Sequence, residues 1–157
     1  MKTMKMKTMT TLIGVLTIAG AMALVQAQTQ GGPHGRGGFG WGAGGQYGRM
    51  YDTNTVQTVT GEVVSVETFT PASGMSSGVH LRLKTDKETI AVHLGPSWYL
   101  DKQDVQIKVK DNIEVTGSRI TFEGKPAIIA AEVKKGDEVL KLRDENGFPR
   151  WAGWRRR

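Results

Sequence analysis

The sequence predicts an all-β domain carrying one short helix, on three observations. From residue 56 onward apolar and polar residues alternate with the two-residue period of a strand lying half-buried. Gly, Asp and Asn interrupt those runs at turn positions. A helix start signal occurs once, after Gly95-Pro96.

Each element follows from the same rules. Residues 56–69 are rich in Val and Thr, with Val59 and Val63 on one parity and Val64 and Val66 on the other. That change of phase, with Gly61 just before it, predicts one long strand bent by a bulge so that it can join two sheets. Residues 70–78 form a loop by composition. In 79–100 (VHLRLKTDKETIAVHLGPSWYL), Val79, Leu81 and Leu83 alternate with His80, Arg82 and Lys84. After a polar break, Ile90, Val92 and Leu94 alternate with Thr89, Ala91 and His93. With Asp86 and Lys87 at the centre of the turn, Leu83 opposes Ile90, Leu81 opposes Val92 and His80 opposes His93. A one-residue slip would turn one apolar set to water, so pattern and turn specify the same register.

Ser97 is placed to cap a short helix running to about Gln103, anchored by Trp98, Tyr99 and Leu100. Val105, Ile107 and Val109 alternate with Gln106, Lys108 and Lys110 as a further strand-like run, and Asp111-Asn112 turns the chain. Residues 113–122 are a strand with Gly117 inside it. Glu123-Gly124-Lys125 returns the chain into 127–133, and Gly136-Asp137 into 139–143.

The ends read differently. Lys2, Lys5 and Lys7 precede an uncharged run over 11–25, and Val25-Gln26-Ala27 has the small residues a signal peptidase reads, so 1–27 are expected to be a cleaved signal peptide. The run falls short of the roughly 20 apolar residues of a membrane span, so no transmembrane span is expected after cleavage, and the location is periplasmic or secreted. Losing those lysines halves the formal charge of +6. Residues 28–50 are dominated by glycine and are expected to be a flexible leader that buries no core. A barrel over 51–144 follows, and 145–157 are a Trp- and Arg-rich tail, either touching anionic material or tucking Phe148 or Trp151 onto the barrel. With no cysteine, disulfides, thiolate metal sites and covalent haem attachment are excluded.

Five main strands, a helix between the third and fourth, and a long bent first strand describe a small five-stranded Greek-key barrel with a C-terminal strand extension. This is the oligonucleotide/oligosaccharide-binding (OB) fold. The segments TGEVVSV, GVHLRLKTD, VHLGPSWYL, IEVTGSRI and GKPAIIAAEVKKGD, within 58–137, resemble exported bacterial OB-fold proteins of the periplasmic BOF-like group. The resemblance implies a binding or stress-tolerance module and supplies no catalytic residues.

Three histidines, no paired carboxylates at cleft-forming spacing and no phosphate loop argue against an enzyme. The expectation is a non-enzymatic binding module of the cell envelope, with its ligand face on the outer side of the second and third strands. His80 and His93 could share a zinc or copper ion, with His34 as a third donor. Alternatively both rings are simply solvated. Arg82 and Lys84 offer charge to a small anionic ligand, a glycan or an envelope protein. Trp98 and Tyr99 either join the ligand surface or plug the barrel end, the latter preferred. Nucleic acid is possible through Arg82, Lys84 and the C-terminal arginines but not favoured, because the outward residues of the hairpin include no aromatic for bases to stack on.

Overall fold

The Val- and Thr-rich run with broken phase forms one strand, β1 (Val56–Phe69), in the computed structural model of the protein, which describes residues 40–152. Its first half pairs antiparallel with β4 (Asn112–Phe122), from Val56↔Ser118 to Glu62↔Asn112. Its second half pairs with β2 (Gly78–Lys84), from Glu62↔Lys84 to Phe69↔Gly78. The predicted bulge lies at Val64, where pairing steps from Val63↔Leu83 to Ser65↔Arg82. Val63 is fully buried, whereas Val64 and Val66 face solvent. At Gly61 a Cβ would stand 2.3 Å from the Lys84 carbonyl oxygen. That oxygen is backbone, so Gly61→Ala is expected to cost about 2 kcal/mol by pushing β1 and β2 apart. Urea denaturation reads this, and an unchanged midpoint would mean that the strands are not so close.

The β2–β3 hairpin, β3 being Thr89–Pro96, has the register that its hydrophobic pattern predicts: Leu83↔Ile90, Leu81↔Val92 and His80↔His93. Thr85 builds the turn. Its Oγ1 accepts from the amides of Lys87 and Glu88, and its own amide donates to the Glu88 carbonyl. At the other tight turn Glu123 and Gly124 take φ of 49° and 76°, joining β4 to β5 (Lys125–Lys135) through the pair Phe122↔Lys125. β5 then runs parallel to β3 through Ala91↔Ala127, Val92↔Ile128 and His93↔Ile129. Pairing therefore closes in a ring, β1-β2-β3-β5-β4, with β6 (Glu138–Lys141) added outside β5. Leu81, Leu83, Val92, Ile113, Val115, Ile128 and Val133 bury the inner face. The architecture is all-β with one short helix.

Several expectations are corrected. The helix α1 spans only Ser97–Leu100, and Ser97 is its first residue rather than its cap. The Ser97 hydroxyl and amide both donate to the Ser77 carbonyl instead. Residues 105–109 join no strand. The Lys108 amide donates to the Asp111 carboxylate at 2.7 Å, and the Gln106 carbonyl accepts from Lys135, so side chains replace ladder bonds. Val105 and Ile107 still pack against the core, so the alternation there reflects one buried side, not pairing.

The leader expectation fails for residues 40–50, because Trp41 and Tyr47 are 5% and 3% exposed and belong to the core. In the tail, Trp151 is buried and Phe148 exposed. Trp151 Nε1 donates to the Trp41 carbonyl at 2.7 Å, tying the two flanking segments together. Residues 1–39 and 153–157, and with them the signal-peptide reading, His34 and the terminal arginines, lie outside the described residues. Among the described residues no helix is long and apolar enough to cross a membrane.

Candidate functional site

Register brings His80 and His93 face to face on the outer surface of the hairpin, with ring centroids 5.8 Å apart and planes inclined by 19°. Phe69, the last residue of β1, packs on both, at 4.8 Å from His80 and 4.5 Å from His93. Phe122, the last of β4, stands edge-on to His93 at 4.8 Å. Tyr47 covers the cluster from the leader side, its hydroxyl sharing a 2.8 Å hydrogen bond with His93 Nδ1.

His93 is consequently only 2% exposed. The solvated reading therefore fails for this ring, although His80 keeps partial exposure. Burial, helped by the charge of His80, pushes the His93 pKa down to about 4, so the ring is neutral at pH 7. Burial likewise pushes the Tyr47 phenol up, so its proton stays on. His80 Nε2 lies 3.2 Å from Glu67 Oε2, and Glu67 also accepts from the Ser65 hydroxyl at 2.8 Å. The Ser65 bond first, and the His80 bond second, hold the Glu67 carboxyl below its ordinary range.

A cleft of about 280 Å³ opens over this cluster, lined by Phe69, His80, Arg82, His93, Phe122 and Lys125 among others. Its floor is aromatic, and the exposed Arg82 and Lys125 lie at its margin. This corrects the expectation of a face without aromatics. Counting only outward residues of the hairpin misses Phe69 and Phe122, which come from the neighbouring strands, and Tyr47, which lies in the segment set aside for its glycines. The missed signal was the pair of strand-end phenylalanines, one of them immediately before the tight turn at Glu123-Gly124.

Of the predicted site residues, His80, His93 and Arg82 come together. Lys84 does not line the cleft, being paired with Thr89 and Glu62 at the far end of the hairpin. Trp98 and Tyr99 sit on α1, where Tyr99 is buried against Trp151 at 5.4 Å. Trp98, Trp41 and Trp151 line a separate depression of about 380 Å³. For a metal ion, one nitrogen on each imidazole is already engaged, by Tyr47 and Glu67. Among the described residues no group of three or more His, Cys, Asp or Glu is arranged to hold one.

The fold and cleft define a small all-β protein whose sheet closes through a β3–β5 pairing and carries an aromatic recess on its outer hairpin face. Residues 55–140 match the model of the MamS/MamX magnetosome protein family, and the chain belongs to that family. The match runs from just before β1 into β6, and leaves out Trp41, Tyr47 and Trp151. No curated protein matches the chain.

Proposed function

We propose that the protein is an exported, non-enzymatic binding module of OB-fold type, similar to the periplasmic BOF-like proteins, and that its ligand is a small ring-bearing anion held in the cleft over His80 and His93. The ring order of the strands and the position of α1 between β3 and β4 support the fold assignment. In OB folds the surface of the second and third strands, with the β1–β2 and β4–β5 loops, is where ligands bind. The carrying observation is that the cleft has that location and combines an aromatic floor with two cations, Arg82 and Lys125, against one carboxylate, Glu123. Flat apolar rings stack on Phe69 and Phe122, while a carboxylate or phosphate finds Arg82. Neutral His93, bonded to Tyr47, adds no charge of its own to the floor. The volume of the cleft, about 280 Å³, suits one ring rather than a polymer track. Export rests on the basic, apolar and small-residue order of residues 1–27.

Titration with aromatic carboxylates and nucleoside monophosphates, followed by calorimetry, tests this reading. Arg82→Gln and Phe122→Ala are each expected to weaken binding about tenfold, as for loss of one charged hydrogen bond or one stacked ring. Lys84→Gln should leave it unchanged. If no such anion binds while zinc or copper does, and His80→Ala abolishes that binding, the metal reading replaces this one.

A further inference from the structure

Away from the hairpin, a groove of about 640 Å³ is lined by the start of β1, by residues of β4, β5 and β6, and by the segment after β6. Arg143 lines it and is nevertheless only 4% exposed. A buried guanidinium ordinarily faces a carboxylate, because desolvating an unpaired charge is costly. Among the described residues Arg143 forms no ion pair. Its Nη1 donates to the Gly147 carbonyl at 3.0 Å, and its Nε is buried with no acceptor. Its remaining support is aromatic: the guanidinium carbon lies 5.3 Å from the Tyr51 ring centroid and 5.1 Å from that of Trp151.

The nearby carboxylates are committed elsewhere or exposed. Asp144 Oδ1 accepts from the Asn146 and Phe148 amides, and Glu132 lies 3.7 Å from Lys134. Glu145 is exposed. Two further cations, Lys141 and Arg150, also line the groove and are exposed. Apolar wall is supplied by Tyr51, Val56 and Ala131.

We propose that this groove is a second binding site, for the carboxylate of a small organic acid with an apolar body, the carboxylate reaching Arg143 and the body lying against Tyr51 and Val56. A planar guanidinium fork matches a carboxylate in two parallel hydrogen bonds. A single negative charge suits the site better than a phosphate dianion, since Glu132, Asp144 and Glu145 share the lining. The site is independent of the hairpin cleft: none of its lining residues belongs to both.

Trp151, beneath the guanidinium, is a built-in reporter. The full-length protein is titrated with hexanoate and, separately, with inorganic phosphate, following tryptophan fluorescence and calorimetric heat. Hexanoate is expected to bind saturably, and the Lys141→Gln, Arg150→Gln double variant to bind it about tenfold more weakly, as for loss of charge-assisted contacts. Arg143→Lys keeps the charge but loses the fork and is expected to weaken binding at least as much. Because that variant could unfold, the rim variant, whose side chains are exposed, carries the test. Arg82→Gln, on the hairpin cleft, should bind hexanoate as the unmodified protein does. Absence of saturable hexanoate binding, phosphate binding at least as tight, or loss of binding in Arg82→Gln with none in the rim variant would each overturn the proposal. The first two outcomes leave the hairpin-cleft reading untouched, whereas loss of binding in Arg82→Gln would place the carboxylate in that cleft instead.

Discussion

Trp41→Ala is expected to destabilise the protein by about 3–5 kcal/mol, the range for removing a large aromatic from a packed core. The residue lies in a glycine-rich stretch and outside the family-matched span, so neither composition nor family membership would single it out. Its packing does. The indole seats over Gly78, where an added Cβ would lie 2.2 Å from the ring, and it meets Tyr47 and Phe69 edge-on at 5.1 and 5.9 Å. Its Nε1 donates to the Ser76 carbonyl, and its own carbonyl receives the Trp151 indole. Alanine keeps that last bond but leaves a void beside Tyr47, the residue covering His93. Chemical denaturation measures the loss, and Trp41→Phe should recover much of it. A loss below about 1 kcal/mol, typical of surface positions, would show that the segment merely rests on the sheet.

The contrast with the sequence reading is physical. The hairpin register was legible because its signal is local: two apolar sets of period two and one turn leave a single pairing that buries both. The bulge at Val64 was legible for the same reason, since the phase change from Val63 to Val64 is visible in the strand itself. Trp41 was not, and the tucking of Trp151 was legible only as one of two alternatives, because their burial depends on partners far away in the chain. Gly78 and Gly95 were the available clue. A glycine inside a strand marks a close approach, and a Cβ at Gly95 would lie 2.8 Å from Trp151 just as one at Gly78 would strike Trp41. Two strand glycines facing two flanking tryptophans form a lock that becomes visible only when both ends are placed. The hairpin cleft shows the same limit. Opposition of His80 and His93 could be derived, but the ring that buries His93 comes from Tyr47, 46 residues earlier. Composition alone marks the glycine-rich flanking segment as unable to bury a core, and without its tyrosine both imidazoles are exposed.

Burial of His93 makes stability depend on pH, and the expected loss between pH 7.5 and pH 4 is about 3 kcal/mol. In the unfolded chain a histidine titrates near 6.5, whereas in the folded protein His93 is pushed down to about 4. Between those values the unfolded state binds the proton and the folded state does not, so acidification favours unfolding. The contribution is fully present above pH 6.5 and fades as pH falls toward 4. The groups packed around the ring are Tyr47, which stays neutral, Phe69, Phe122 and His80; the last opposes protonation of His93 but ranks second to burial. Glu67, Glu88 and Asp111 have carboxyls held below their ordinary range, so whatever they add is lost only at lower pH. The window from pH 6.5 to 4.5 therefore isolates histidine. Urea denaturation at several pH values should show the midpoint falling through that window, and His93→Phe should flatten the profile even if it changes stability at pH 7.5. His80→Gln should keep most of the slope, because burial of His93 rather than its neighbour's charge is the larger cause. A profile that stays level down to pH 4.5 in the unmodified protein would mean that His93 is open to solvent, and the Tyr47 cover over the hairpin cleft would go with it.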